Sequence, residues 1–525
     1  MKANMKSLIS GSIGLIVALS SPVAAFAASD TSWTKSTKLY EVRTWTGQSE
    51  LGHVNGTLSE ATFYHPRSAV ALPDGKLLVS DSSNHLIRAV SVDRVSGYAG
   101  LDLGEDEANL PYGGYNDAEL AKAAFELPSG LALDSQGNVY VADTKNNAIR
   151  KISKDGKVST LAGNGSIGSA DGVGANAAFY EPSDVAVDRQ GNVYVADTLN
   201  HVIRKIAANG TVTTLTAPST RITEYFPGAV ETAGDYSDGA IASAKFNEPS
   251  GLALDSKGNL YVSDRGNQRI RYIDFASGKV STVAGGGALG KQASYVEGDF
   301  VDGTAAQSRF NAPEGLTVTE DGSVIIADSL NHAIRIVKDG KVSTLAGIPT
   351  EFGKNNGLVA SAQFNHPTDV TVLSDGRLVI VDEFGNKVRV LQKYAKPASL
   401  PAGQSVSVLY NGKLVPTEVP AQVKANAVLL PLRDVGNALG YEVSYDKATG
   451  NSVLAKGDIV YKIGNGTNAV TKSVAGKSET LTLNAKTVTV NNRLFVPVRF
   501  FASESDLDIQ WDASSQLVVI RSKVF

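Results

Sequence analysis

No cysteine occurs in the 525 residues, which rules out disulfides, thiolate metal sites and a lipid anchor carried on a processed cysteine. Stability outside a cell would have to come from packing alone. Histidine is scarce as well, with six residues, His53, His65, His85, His201, His332 and His366. Beyond the first thirty residues no stretch approaches the roughly 18 apolar residues that a membrane span needs. Basic blocks are also missing and the formal net charge is −4, so a nucleic-acid partner is disfavoured.

The first residues carry Lys2 and Lys6, then an apolar run over 8–19, then Pro22 and the small-residue pattern Ala25-Phe26-Ala27. That order predicts a secretory signal peptide over residues 1–27, cleaved after Ala27. Losing Lys2 and Lys6 takes the formal charge from −4 to −6. The mature chain is expected to be a monomer that is extracellular or associated with the cell wall, with no membrane span.

A chain this long exceeds one ordinary core unless a repeat absorbs the length. A repeat does so here. In its second copy it runs over 125–163, opening FELPSGLALD and closing KVSTLAG, and the other copies begin at Phe63, Phe179, Phe246, Phe310 and Phe364. Each copy has a Pro three residues after the Phe, a Gly-containing turn, and the pattern Asp-x-x-Asn/Gly-x-x-Ile/Val-Arg. Four short runs in each copy alternate apolar and polar residues, separated by turn chemistry such as Ser135-Gln136-Gly137-Asn138, which predicts four antiparallel strands. The sixth copy lacks the last strand, whereas Glu41 begins a similar run (EVRTWTG) ahead of the first Phe. The N-terminal run is therefore expected to complete the last unit and to hide two sheet edges.

These units resemble NHL repeats, with Asn84-His85-Leu86, Asn200-His201-Val202 and Asn331-His332-Ala333 as the signature or near variants. The expected fold is mainly β: a six-bladed NHL-type β-propeller over 36–396, with blades starting near 63, 125, 179, 246, 310 and 364 and closed by a strand at 39–47. A linker over 397–403 and a small duplicated α+β domain over 404–525 follow. The resemblance fixes function weakly, because such propellers host protein binders, RNA binders and some enzymes.

Six aspartates, Asp81, Asp143, Asp197, Asp264, Asp328 and Asp382, each precede an arginine by seven residues: Arg88, Arg150, Arg204, Arg271, Arg335 and Arg389. An Asp closing one strand and an Arg on the return strand can meet across the hairpin. A residue demanded in every copy serves the copy. The amidating lyase that this propeller resembles binds zinc through histidines directly after the blade-opening Pro, but those positions hold Arg67, Ser129, Ser183, Ser250, Glu314 and Thr368. His65 and His366 precede the Pro in neighbouring copies and invite a two-histidine metal site. In lactonase-type propellers a channel calcium is bound by Glu, Asn and Asp, for which Asp184, Asp369 and Glu314 are the counterparts to test. No cofactor is expected, with calcium or zinc at the channel left open.

The links between copies differ most. They span 15 residues over 164–178 and 16 over 348–363, but 24, 28 and 24 after the first, third and fourth copies. In a four-stranded antiparallel unit all these links fall on one face. The long ones carry Tyr112 and Tyr115, then Tyr225, Phe226 and Tyr236, then Tyr295 and Phe300, which are the candidate ligand-binding residues. The expected function is a secreted binding or scaffold protein whose partner is an extracellular protein, peptide or cell-wall glycan. The alternative is an extracellular metal-dependent lyase or hydrolase.

After residue 404 a second pattern appears. Leu430-Pro431-Leu432-Arg433 with the segment to Asp446 is echoed by Val496-Pro497-Val498-Arg499 with the segment to Asp512. These halves resemble the copper amine oxidase N-terminal-like domain. Copper chemistry is not expected, since no histidine follows His366. This part holds 13 basic and 10 acidic residues, so a weak attraction to anionic wall polymers is conceivable.

Overall fold

The computed structural model describes residues 39–226, 228–290, 293–397, 400, 405–424, 427–505, 507–513 and 515–522. The signal-peptide segment 1–27 lies outside the described residues. The chain is 50% strand and 8% helix, which makes it mainly β.

Residues 39–393 form six sheets of four or five strands together with one small hairpin. In the first sheet the order from the inner to the outer edge is Pro66–Ala71, Leu77–Asp81, Leu86–Val90, Arg94–Ala99 and Gly56–Thr57. The inner strand of each sheet packs beside the inner strand of the next, and that of the last beside Pro66–Ala71, so the sheets form a closed cycle. In the last sheet Tyr40–Thr46 lies antiparallel to Lys387–Lys393, with Val42 opposite Leu391. The ring of sheets is thus joined by a strand from the start of the described chain.

The strands follow from side-chain chemistry. The second strand of the second copy, Val139–Asp143, is buried along its whole length because it has a neighbouring strand on each side and a neighbouring sheet on each face. Between successive sheets the inward side chains fuse into one apolar cluster. Leu78 and Ile87, for example, pack with Phe125, Leu131 and Val141 of the next sheet. The Phe that opens each copy is buried in such a cluster, and its ring stabilises the contact by about 2–3 kcal/mol.

The repeated Arg lies between the sheets, fully buried in all six copies. Arg150 Nη1 donates to Asp143 Oδ2 at 2.6 Å and to the Ala124 carbonyl at 3.0 Å. Its Nη2 donates to Asp117 Oδ1 at 2.7 Å and to the Asn116 carbonyl at 2.8 Å, and the Phe125 ring lies 5.2 Å from the guanidinium carbon. The same set recurs around Arg88, Arg204, Arg271, Arg335 and Arg389, with the second acid or amide supplied by Asn55, Asp171, Asp238, Asp302 and Asn356. Burial raises the carboxyl of Asp143, Asp197 and Asp328 to about 6, and the arginine, a main-chain N–H and an Asn amide oppose it.

The C-terminal part holds three further sheets and two seven-residue helices, Leu432–Ala438 and Val498–Glu504. Each helix directly follows a strand, Ala427–Pro431 or Arg493–Pro497, and these two strands pair antiparallel with Leu430 opposite Val496. This part is seated on the outer edge of the sixth sheet. Leu358 and Tyr394 pack with Leu409, Leu517 and Val519, Arg521 pairs with the buried Glu41 at 2.8 Å, and Gln510 accepts the Leu358 N–H. The Gln510 side chain closes onto Gly357, where a Cβ would stand 2.1 Å from its amide nitrogen, so a larger residue there would have to turn Gln510 aside.

Removing Arg150 leaves Asp143 buried without its counter-charge, which costs about 3–5 kcal/mol. Arg150→Ala should therefore melt well below the parent in calorimetry, and an unchanged melting temperature would show that the guanidinium is dispensable.

Candidate functional site

The inner strands begin at the face that carries the variable links. There the residue before each Pro takes a left-handed backbone in all six copies: His65, Leu127, Glu181, Glu248, Ala312 and His366. Each of their N–H groups donates to the signature side chain of the preceding copy. Leu127 N–H meets His85 Nδ1 at 2.9 Å, Glu248 N–H meets His201 Nδ1 at 3.1 Å, and His366 N–H meets His332 Nδ1 at 3.2 Å. Where the signature residue is Asn147, Gln268 or Asn386, an amide oxygen accepts instead, at 2.9, 2.7 and 3.0 Å. Six such bonds run once around the ring. As an acceptor, Nδ1 must be unprotonated, which leaves Nε2–H of His85 to donate to the Pro111 carbonyl at 3.0 Å.

One step further in, Asp184 and Asp369 staple neighbouring inner strands. Asp184 Oδ2 accepts the Leu252 N–H at 2.7 Å; Asp369 Oδ2 accepts the Ala69 N–H at 2.9 Å and the Ser68 hydroxyl at 2.8 Å. A Cβ at Gly130 would lie 2.1 Å from Asp184 Oδ1, so the carboxylate occupies space that only glycine leaves free. Burial raises both acids, Asp184 far and Asp369 to about 6, and each also lies near another carboxylate. Among the described residues no three His, Asp or Glu side chains are grouped to hold a metal ion. Of the carboxylates weighed as calcium ligands, Asp184 and Asp369 spend their oxygens on main-chain N–H groups and the Ser68 hydroxyl, and Glu314 is held by Arg67.

Above this layer lies a network of charges. Arg67 donates to Glu314 at 2.8 Å and to Glu383 at 3.1 Å; Arg265 donates to Glu248 at 3.0 Å, whose other oxygen takes the Tyr295 hydroxyl at 2.7 Å. Burial pushes Glu383 up to about 7; Arg67 pulls it down and Glu314 pushes it further up. The same carboxylates hold Arg67 above the usual arginine range, Glu383 more than Glu314.

A strip of rings borders the network. Phe384, 43% exposed, packs against His65 with centroids 4.8 Å apart and against His366 at 4.5 Å. His366 meets His332 at 5.0 Å, which meets Phe352 at 5.9 Å, and Tyr64 joins at the His65 end. Phe352 is 70% exposed. Burial lowers the pKa of His65, His332 and His366, so at neutral pH the strip is uncharged. His65 and His366, which the sequence brought up as a two-histidine pair without a third ligand, both pack on Phe384, and their imidazoles form part of this strip.

Among the described side chains the loop aromatics do not form one site, and of these Tyr295 alone reaches the charge network. Tyr115, Tyr236 and Phe300 each stand two residues before the acid that binds the buried Arg, and their rings lie over Arg150, Arg271 and Arg335 at 4.9, 4.7 and 4.4 Å. They roof the guanidinium that the opening Phe floors. Tyr112 is exposed on the first long link. Tyr225 and Phe226 end the strand Arg221–Phe226, but their side chains lie outside the described residues. The mouth residues had a signal in the sequence: Arg67, Glu314, Arg265 and Glu383 are charged where the remaining copies put Ser or Thr.

Family models match in both parts of the chain. The NHL repeat model matches residues 125–152, 179–206 and 246–271, and the copper amine oxidase N-terminal domain model matches residues 409–520. SUPPRESSOR OF QUENCHING 1 of Arabidopsis thaliana is 29% identical over 53% of this chain and 26% of its own length. NHL repeat-containing protein 2 of Bos taurus is 28% identical over 66% of this chain and 50% of its own. The chain spans half or less of the length of these curated relatives. A solved auxiliary nutrient binding protein from Bacteroides ovatus is 16% identical, covering 68% of this chain and 78% of that one with a TM-score of 0.49.

The pKa of His332 is lowered from 6.5 to about 4 by burial first and then by His366. The unfolded chain therefore takes up a proton before the folded one does, and stability present above pH 6.5 is lost as the pH falls toward 4. His332→Asn, which keeps an acceptor as Asn147 and Asn386 do, should remove about 1–2 kcal/mol of that acid-side loss in urea titrations. Equal pH dependence in both proteins would refute the assignment.

Proposed function

We propose that the chain is a secreted or wall-associated binding protein: a six-bladed propeller that takes an extracellular glycan or protein segment at its channel mouth, followed by a duplicated, slightly basic domain that associates with the cell surface. The observation that carries this reading is the neutral ring strip from Tyr64 to Phe352 beside the paired charges of Arg67, Glu383, Glu314 and Arg265. Exposed rings without charge stack on sugar faces or anchor a peptide side chain, while half-buried guanidinium and carboxylate groups supply directional hydrogen bonds. Secretion rests on the residue order of 1–27.

A screen of the purified protein against cell-wall glycan fragments and secreted peptides supplies the ligand. Phe384→Ala and Arg67→Ala should then each weaken binding about tenfold or more, as expected for central anchors, while Tyr112→Ala on the first link leaves it unchanged. A ligand lost with Tyr112 and indifferent to Phe384 and Arg67 would move the site to the long loops.

The second reading, a metal-assisted lyase or hydrolase, is supported by Glu383, whose carboxyl at about 7 suits proton transfer at neutral pH. It requires an ion. Elemental analysis of the purified protein decides it, because a chain without stoichiometric metal cannot work that way.

A further inference from the structure

A cleft of about 990 Å³ lies where the C-terminal part meets the sixth sheet. It opens beside the strand Tyr40–Thr46 and the two-residue edge strand Gly357–Leu358, away from the inner strand Pro367–Val372 that faces the channel. Cavities of this size at the junction of two folded units are where small molecules are usually held. Ala502, Leu507, Ile509 and Val519 give it apolar walls, and Arg43, Arg499, Arg521 and Asp508 give it charge.

These charges are not equivalent. Arg521 is held by Asp508 at 2.7 Å and by Glu41 at 2.8 Å, and Arg43 is turned to Glu41 at 2.7 Å. Asp508 is occupied on both oxygens by Arg521 and Gln510. Arg499 differs: it is exposed on the Val498–Glu504 helix, and among the described residues it has no ion-pair partner. Among the described residues the cleft therefore combines apolar walls with a single uncompensated cation, while its one carboxylate is already neutralised.

We infer that this cleft binds an amphipathic organic anion, with its apolar body against Leu507, Ile509 and Val519 and its carboxylate on Arg499. Among the described residues a cation has no free acid to meet here, and a highly charged polyanion would face one free guanidinium and apolar walls. A single carboxylate on an aliphatic chain matches both features. The inference is independent of the channel mouth.

Isothermal titration of the full chain with decanoate tests it, with decyltrimethylammonium as the cationic control. Decanoate should bind with a stoichiometry of one and the ammonium should not. Arg499→Ala should weaken decanoate about tenfold, corresponding to about 1.4 kcal/mol, whereas Arg499→Lys should keep most of the affinity. Ala502→Trp, which fills the cleft, should abolish binding. Since Arg499 is exposed, its variants test the idea even if the tryptophan variant fails to fold. No heat at ~5 mM decanoate, equal binding of the ammonium, or an affinity indifferent to Arg499→Ala would overturn the assignment.

Discussion

The ring of sheets depends on a guanidinium taken wholly out of water. An arginine is expensive to bury unless its charge is paired and its donors are met, and the repeat meets the two terminal nitrogens with an aspartate from its own hairpin, an acid or amide from the link before it, and two main-chain carbonyls, while among the described residues Nε of Arg88, Arg150, Arg204 and Arg389 has no partner. The price of that arrangement is specificity of sequence: four separate segments must arrive together. In return one side chain ties a strand, its hairpin partner and the incoming link into a single unit, six times over.

A second set of bonds joins the units to one another. The signature histidine, asparagine or glutamine accepts an N–H from the next copy, so the three residue types are interchangeable for a geometric reason: each presents an acceptor at a similar reach. The histidines of the NHL signature thus act as inter-sheet latches in the fold. The channel aspartates Asp184 and Asp369 repeat the theme, since their oxygens bridge strands of neighbouring sheets.

The parts legible in the sequence were those whose partners lie at fixed spacing. The seven-residue step from Asp to Arg, the Gly turns and the alternation of each strand belong to this class. What could not be read depends on the ring bringing distant residues together. Tyr115, Tyr236 and Phe300 look like ligand-seeking aromatics on polar loops, yet each covers an arginine 35 residues ahead of it. His65, Phe384 and His366 meet only because the first and last copies are neighbours. The charged mouth had a readable trace, namely charges where other copies put Ser or Thr, but only the folded ring shows that Arg67 and Glu383, 316 residues apart, share a hydrogen bond.

The acid or amide that grips each buried arginine from the link always stands 33 residues before it, whatever the length of the link. Every added residue is therefore inserted upstream of that grip, between the end of one sheet and the anchor of the next. Lengthening a surface segment costs little, about 0.6 kcal/mol for each doubling, and here it disturbs none of the bonds that close the ring. The chain behaves like a turret with five interchangeable fittings, on which new recognition loops can be grafted or traded while the mount beneath stays the same.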